Sequence, residues 1–415
     1  MRKLTAEKSN NNKSMNLADL LSLFQKMGGV ELENVELEAE ELTLKLIPTI
    51  MQVATSVNPV QQTISQAAIP EKPLQLEKTT FEPPVSAYTG EIAEVQIGAT
   101  AKDGGTRKKS ITIGGEKCSP FYKFECQTPN RPVVALDVFD LLPPLPKTIK
   151  NYYRDVMDKH AEWINKSVYE YGADLVTFHL ASTDPSVPNS TSPKDAAISV
   201  EKILDQVDVP LMIGGSGDPA KDTEVFAEVA KVAKGEKTVL ASATVDMDLG
   251  KVANIVSEND QNLVALAFLD INQVKELNSK LLDGGINKSQ LITDPSTGGL
   301  GYGIEYTFSM MERMRLAGLM GDPIMQVPIS CAATNGWAAR EAWAKEDSWG
   351  PREHRGPIWE AVTGIMGLFA GADLFMMMHP LAAQILKKTS EILSKQAGKS
   401  DLKEIPYENW VAMKI

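Results

Sequence analysis

The chain has 415 residues, of which 43% are hydrophobic and 23% are charged, a composition typical of a folded globular protein with ample material for a core. Its 42 basic and 54 acidic residues give a net charge of −12, which argues against a nucleic-acid binder that works by neutralising phosphates. The sequence has no run of about 18 uninterrupted apolar residues, so we expect no membrane span and a cytoplasmic protein.

The N-terminal part of the chain lacks the pattern of a large domain. Residues 1–14 are polar and charged, which predicts a disordered tail, and residues 48–89 mix Pro, Gln, Ser and Thr without a sustained period, as linkers do. Between them, residues 15–47 carry a helical repeat that ends at Gly28, followed by one or two short strands. So short a unit buries little core by itself, and we predict that it is an assembly element.

Residues 90–131 predict a β-hairpin that leads into the main domain. Apolar and polar residues alternate over residues 93–97 and again over residues 110–113. The sequence Asp-Gly-Gly at residues 103–105 supplies a turn between the two runs.

Residues 132–415 alternate short apolar runs with amphipathic helices. Such runs are typical of strands buried on both faces of a parallel sheet. The eight runs begin at Val133, Ala173, Pro210, Thr238, Leu263, Leu291, Pro323 and Ala372. Helix start signals lie between them, as at Ser192-Pro193 and Asp218-Pro219. Eight βα units predict a (β/α)8 TIM barrel. An open doubly wound sheet is the alternative, but its glycine fingerprint is missing after the first strand.

In such a barrel, the loops after the carboxyl ends of the strands carry the chemistry. Here these loops are rich in hydroxyls, amides and glycines, which favours hydrogen bonding to a large polar ligand over acid–base catalysis. No strand ends in a lysine and no H-x-H pair follows the first strand, so we predict neither a catalytic residue nor a metal ligand. The candidate cofactor contacts are His179, Ser182, Thr183, Gly214, Gly215, Ser216, Thr297, Ser330, Thr334, Asn335 and His379.

Two of these candidates have a second interpretation. His179 can be a structural residue whose imidazole is satisfied by neighbouring hydroxyls. The glycine-rich turn from Gly214 to Gly217 can be either a tight turn or a ligand cradle, and Asp218, which already occupies the helix cap, would repel an anion there.

The segment 348–360, SWGPREHRGPIWE, predicts a loop inserted before the last strand. Aromatic and arginine side chains on a rigid loop are typical interface anchors. The candidate partner contacts are Trp349, Arg352, Arg355 and Trp359. Internal packing of the loop is the alternative.

The chain has three cysteines, Cys118, Cys126 and Cys331, and none of them lies at C-x-x-C spacing. We therefore expect neither a disulfide framework nor a zinc or iron–sulfur site ligated by this chain alone. Any iron–sulfur cluster would then be bound by a partner.

Eight co-linear stretches carry a more specific signal. They are IGATAKDGGTRKKSITIGGEK, TPNRPVVALDVFD, LASTDPS, IGGSGDPAKD, GLGYGIEYTFSMMERMRLAGLMGD, ATNGWAAREAW, WGPREHRGPIWE and DLFMMMHP. They closely resemble the small subunit of the corrinoid iron–sulfur protein, called the delta subunit of the acetyl-CoA decarbonylase/synthase complex in its archaeal form. The resemblance extends over roughly residues 90–410.

The resemblance implies a (β/α)8 barrel that forms a heterodimer with a large, or gamma, subunit. In the family, the large subunit supplies the [4Fe-4S] cluster and the mobile corrinoid domain, and the barrel covers the corrinoid. The heterodimer carries a methyl group between a methyltetrahydropterin and acetyl-CoA synthase. The implied partners therefore also include acetyl-CoA synthase, CO dehydrogenase, and a methyltetrahydropterin methyltransferase or the pterin itself.

Two functions remain in competition at this point. The first is a binding and structural subunit that covers the corrinoid and organises the complex. The second is a pterin-dependent methyltransferase with its own active site, because methyltetrahydropterin-binding proteins are also barrels with Asp and Asn at strand ends. Asp270, Asp294 and Asn335 form no clear pterin-binding set, so we favour the first.

The N-terminal assignment gives a direct prediction. Deleting residues 1–86 should leave the thermal transition of the barrel nearly unchanged and weaken incorporation into the larger complex, because the deleted part is predicted to lie outside the barrel core. Calorimetry and co-purification with the partner subunits measure the two effects. Collapse of the thermal transition would instead make this segment integral to the fold.

Overall fold

The computed structural model describes residues 85–395, and the assignments for residues 1–14, 15–47 and 48–84 lie outside the described residues. The strands are β1 (Val95–Ile97), β2 (Ile111–Ile113), β3 (Val133–Phe139), β4 (Leu175–His179), β5 (Leu211–Gly214), β6 (Val239–Ala243), β7 (Asn262–Leu266), β8 (Leu291–Asp294), β9 (Ser330–Cys331) and β10 (Leu374–Met377). The α-helices are α1 (Lys147–Tyr153), α2 (His160–Tyr169), α3 (Pro193–Gln206), α4 (Pro219–Val232), α5 (Leu249–Glu258), α6 (Ile271–Asp283), α7 (Ile304–Leu319), α8 (Arg340–Trp343), α9 (Arg352–Ala370) and α10 (Pro380–Ser394).

Strands β3 to β10 form one parallel sheet in the order β8-β7-β6-β5-β4-β3-β10-β9. Its two edges meet where Thr293 bridges Ile329 and donates its N–H to the carbonyl of Pro328 at 2.9 Å. The sheet thereby closes, and the predicted (β/α)8 barrel is confirmed.

Helix starts and most strands follow the sequence pattern. Ser192 and Asp218 cap α3 and α4 through their side-chain oxygens, which accept N–H groups of the first turn. The apolar run from Pro323 differs, because only its end forms the two-residue strand β9. Its prolines, Pro323 and Pro328, have no N–H to donate to a neighbouring strand.

The hairpin β1–β2 is a plug at the amino-terminal end of the barrel. Its side chains Val95, Ile97 and Ile113 are fully buried in one cluster with side chains of the barrel interior. Two hydrogen bonds anchor the hairpin to the segments that begin β6 and β7. Gly98 N–H donates to Lys237 O at 2.9 Å, and the side-chain amide of Asn262 donates to Gln96 O of β1 at 2.8 Å. The interior residues of this cluster are Val133, Ala135, Leu175, Met212, Val239, Ala241, Val264, Ile292, Leu374 and Met376.

The expectation that the chain forms no disulfide is wrong. Cys118 and Cys126 are bonded, with their Cα atoms 6.0 Å apart. Consecutive turns, in which the N–H groups of Tyr122 and Cys126 donate to Ser119 O and Tyr122 O, bring the two cysteines together. Cys331 is a buried free thiol.

Within residues 85–395, no helix is both long enough and apolar enough to cross a lipid bilayer.

The plug predicts a stability effect far from the candidate site. Ile97→Ala should lower the free energy of unfolding by about 2–5 kcal/mol, because it leaves a cavity in the closed barrel interior. Ile111→Ala, at a half-buried position of the same hairpin, is the matched control and should cost less. Urea unfolding measures both, and equal losses would argue against the plug.

Candidate functional site at the carboxyl end of the barrel

A carboxylate–imidazole pair lies at the mouth of the barrel. Asp137 lies two residues after Ala135 on β3, so its side chain faces the barrel interior, where it is buried. Its Oδ1 is 3.1 Å from Nε2 of His179, at the end of β4. The imidazole also stacks on Phe139, with ring centroids 4.9 Å apart, and keeps a quarter of its side-chain surface exposed. Asp137 therefore fixes the orientation of His179.

Sequence reasoning missed Asp137 although a signal was present. A single acidic residue interrupts the apolar run of β3 at an inward-facing position of the alternation. A buried carboxylate needs a partner, and the end of the next strand, where His179 lies, is the nearest place for one.

The glycine-rich turn after β5 binds a carboxylate of its own chain. The N–H and hydroxyl of Ser216 lie 2.7 and 2.8 Å from Asp222 Oδ1, and Gly217 N–H donates to Oδ2 at 2.8 Å. A Cβ atom at Gly215 would lie 2.4 Å from this carboxylate. Burial raises the pKa of Asp222, against the lowering effect of these hydrogen bonds. The geometry favours the tight-turn interpretation, and cofactor contacts of Gly215 and Ser216 stay a prediction.

Gly214 has a different role beside the imidazole. A Cβ atom at this position would lie 2.5 Å from Nδ1 of His179. Only glycine leaves room for the ring in the orientation that Asp137 holds.

The loop after β4 is also tied down internally. The N–H of Ser182 donates to Asp140 Oδ1 at 2.9 Å, and its hydroxyl donates to the other carboxylate oxygen. Thr183 is fully buried, and its hydroxyl donates to Leu180 O at 2.7 Å. Both hydroxyls therefore stabilise the loop, and any cofactor contact that they make is additional.

A second polar cluster lies across the mouth at β8 and β9. Asp294 Oδ2 accepts from the Ser330 hydroxyl and Oδ1 from the Ser296 N–H, both at 2.8 Å. Burial raises the pKa of Asp294 to about 6. Thr297 accepts from Ala332 N–H at 3.0 Å.

The amide of Asn335 extends this cluster by donating to Thr297 O at 2.9 Å. Burial also raises the pKa of the Cys331 thiol to about 12. Thr334 is half-buried in the same turn. The polar groups of this cluster are thus either neutral or already hydrogen-bonded within the chain, and the Cys331 thiol stays protonated.

His379 is buried beneath the surface of the barrel mouth. It caps α10, with Nδ1 accepting from Leu381 N–H at 3.2 Å, and burial lowers its pKa to about 4, so the ring is neutral. Glu360 of α9 accepts the backbone N–H groups of Met378 and His379, and burial raises the pKa of Glu360 to about 8. These contacts fix the turn between β10 and α10.

The segment 348–360 is not the loop that its Pro and Gly content predicts, because most of it forms the first turns of α9. Gly356 is required there by packing, since a Cβ atom would lie 2.1 Å from the ring of Trp337. Arg355 is buried and donates to two backbone carbonyls, and its guanidinium lies over Trp349. The internal-packing alternative therefore describes Arg355.

The other candidates of this segment are more accessible. Trp349 and Arg352 are exposed, and Trp359 is half-buried with no hydrogen-bond partner for its Nε1 among residues 85–395. Their contact with a partner stays a prediction.

Exposed apolar side chains flank the mouth. We call them the apolar rim, and they lie on the loops after β3, β7 and β8, with exposures of 41% to 67%. The residues are Leu141, Leu142, Phe268, Leu269 and Tyr302. Because β3 lies opposite β7 and β8 in the barrel, the rim offers apolar surface on both sides of the mouth.

Residues 85–395 contain no group of three or more His, Cys, Asp or Glu side chains arranged to bind a metal ion.

Residues 94–346 match the family described as the CO dehydrogenase/acetyl-CoA synthase delta subunit. This chain belongs to that family. It is 42% identical over 392 residues to the acetyl-CoA decarbonylase/synthase complex subunit delta of Methanothermobacter thermautotrophicus, with 94% of this chain and 96% of the relative covered. The subunits delta of Methanocaldococcus jannaschii and Methanopyrus kandleri are 40% and 44% identical, covering 96% and 90% of this chain and 97% and 92% of the relatives. The resemblance read from the sequence is confirmed.

Among solved structures, the chain is similar to dihydropteroate synthases. The enzyme of Xanthomonas albilineans in complex with indole-2-carboxylic acid and 6-chloroguanine has a TM-score of 0.44 and 15% identity, covering 66% of this chain and 94% of that one. The enzyme of Yersinia pestis with a pterine-sulfa conjugate has a TM-score of 0.44 and 11% identity, covering 64% and 95%.

The buried Asp294 predicts a pH-dependent stability. Since its pKa is higher in the folded protein than in the unfolded chain, the wild type should lose stability relative to Asp294→Asn as the pH rises from about 4 to 6, by up to roughly 3 kcal/mol. Urea unfolding between about pH 4 and pH 7 measures the difference. Asp248→Asn, at a helix cap, is the control. A constant difference between wild type and Asp294→Asn across this range would contradict the prediction.

Proposed function

We propose that this chain is the delta subunit of an acetyl-CoA decarbonylase/synthase complex and that the mouth of its barrel covers a corrinoid held by a large partner subunit. Membership of the delta-subunit family supports the first part. The observation that carries the second part is the apolar rim around a mouth whose carboxylates Asp137, Asp140 and Asp294 are already paired. Such a surface suits a broad, flat ligand better than a small substrate that must be enclosed.

Accessible polar groups add to the fit with a corrinoid. A corrin ring carries amide side chains around its edge, which can pair with the half-buried Thr334 and the exposed Asn335, and its apolar faces can pack on the rim. When bound, the corrinoid supplies the cobalt that carries the methyl group.

The residues of this chain have the task of positioning and shielding. In the Asp137–His179 pair, His179 is the more exposed residue. Together with Thr334 and Asn335, it offers polar contacts at the mouth. The rim excludes water around these contacts. The other predicted contacts, Ser182, Thr183, Gly214, Gly215, Ser216, Thr297, Ser330 and His379, act in this proposal mainly by holding the loops in place.

The second candidate, a pterin-dependent methyltransferase, has less support. All three polar groups considered for a pterin are engaged within the chain. Asp294 binds Ser330 and Ser296, Asp270 caps α6, and Asn335 donates to Thr297 O. A pterin would have to break these contacts in order to use them.

In this proposal the partners are the large corrinoid subunit and, through it, the acetyl-CoA synthase and CO dehydrogenase subunits. Trp349, in the turn before α9, and Arg352, at the start of α9, are both exposed, which makes them the candidates for contact with the large subunit.

The rim gives a binding prediction. Phe268→Ala and Tyr302→Ala should each weaken binding of the corrinoid-loaded large subunit by about 1–2 kcal/mol, or roughly 5- to 30-fold in Kd, because each removes an exposed apolar contact without disturbing the core. Calorimetric titration measures the affinity, and thermal unfolding confirms the fold.

Ile385→Ala is the matched control, since Ile385 is similarly exposed but lies on α10, away from the mouth. Its affinity should equal that of the wild type. If the control and the rim variants lose affinity equally, or none loses any, the mouth is not the covering surface.

We further predict that neither His179 nor His379 ligates cobalt. Nδ1 of His179, the ring nitrogen that Asp137 does not hold, lies against Gly214, where a Cβ atom would be only 2.5 Å away. His379 is buried, and Nδ1 of its neutral ring accepts a hydrogen bond at the helix cap. In the reconstituted heterodimer, His179→Ala and His379→Ala should leave the axial-ligand signature of cobalt unchanged in electron paramagnetic resonance spectra. Loss of a nitrogen hyperfine signal in either variant would refute this.

A further inference from the structure

The loop closed by the Cys118–Cys126 disulfide, residues 118–126, lies at the end of the barrel opposite the candidate site. It packs beside the residues that precede β3 and β10. Tyr122 and Phe124 of this disulfide loop are exposed. Phe121 contacts Phe369 near the end of α9 edge-to-face, with ring centroids 6.4 Å apart.

The disulfide loop forms the outer wall of a small cavity of about 20 Å³. The inner wall includes Arg315, which is fully buried and donates to Glu116 at 3.1 Å and to Asp373. Its Nε has no partner among residues 85–395. The loop therefore lies between solvent and a buried charged cluster, and movement of the loop would let water reach the Arg315 guanidinium.

Three features indicate that the disulfide holds its own loop closed and contributes little to the stability of the barrel. It joins positions only eight residues apart, so it restrains the unfolded chain less than a bond between distant segments. Cys126 is half-buried, whereas Cys118 is buried, so Cys126 is the more accessible residue of the pair. Phe121 has φ of 61°, a conformation that aromatic residues rarely adopt, so the loop favours a different path once the bond is broken.

We propose that Cys118 and Cys126 form a thiol–disulfide exchange site, which a protein dithiol opens to release the loop and uncover the Arg315 cavity. A thiolate of the dithiol attacks the sulfur of Cys126, the less buried residue, and Cys118 leaves as a thiolate that takes a proton from water. The second thiol of the dithiol then attacks the mixed disulfide and releases Cys126. Two electrons and two protons pass to this chain, and the dithiol becomes a disulfide. The proposal does not depend on the corrinoid function.

The test uses the full chain and dithiothreitol as the dithiol, without denaturant. After reduction, alkylation and peptide mapping should find Cys118 and Cys126 labelled and Cys331 unlabelled, because Cys331 stays buried in the folded barrel. Chymotrypsin should then cut after Tyr122 or Phe124 roughly tenfold faster or more than in the oxidised chain. Reoxidation should restore the resistance.

Cys331 is the internal control, since its labelling would report unfolding of the barrel. The double variant Cys118→Ser/Cys126→Ser should be cut at the fast rate without reductant, and its thermal transition checks that it folds. The proposal is overturned if the bond is reduced only in denaturant, or if the wild type is reduced without faster cleavage.

Discussion

The desolvation of carboxylates governs the mouth of this barrel. A carboxylate that loses water needs hydrogen-bond donors from the protein, and here four buried acids at the mouth obtain them from groups that the fold brings beside them. Asp137 pairs with an imidazole, Asp222 with the turn after β5, Asp294 with a serine hydroxyl, and Glu360 with two backbone N–H groups. These contacts fix the loops, and the fixed loops decide which side chains are left to face a ligand.

The two ends of the barrel consequently differ in kind. At the amino-terminal end, the hairpin fills the interior with Ile97 and Ile113, and the barrel is closed by apolar packing. At the carboxyl end, polar pairs fill the interior and apolar side chains such as Phe268 are turned outward. This inversion gives the carboxyl end an exposed apolar surface whose loops are held in place by the polar pairs beneath it.

The sequence predicts the barrel because local signals and burial agree along most of it. Seven apolar runs become full strands, and caps such as Ser192 begin helices where expected. The exceptions have physical causes that are not local. Gly356 is a helical glycine because the ring of Trp337 leaves no room for a Cβ atom there. The pairing of Cys118 with Cys126 depends on the turns between them.

The candidate site is predictable to a lesser degree. The positions of the loops follow from the strand pattern, and His179 and Asn335 do lie at the mouth. Which hydroxyls are consumed within the chain does not follow, because it depends on contacts between segments far apart in sequence. Ser330 meets Asp294, 36 residues earlier, only after the barrel has closed.

The hairpin also sets the order in which the barrel can form. Its anchors are distant in the chain, since Asn262 bonds to β1 across 166 residues. The ribosome therefore releases Val95, Ile97 and Ile113 long before the strands that bury them exist. Contacts of such sequence separation form late and slowly, so the plug must enter after β7 is in place. Until then, its apolar residues are a surface on which chaperones can act or at which aggregation can begin.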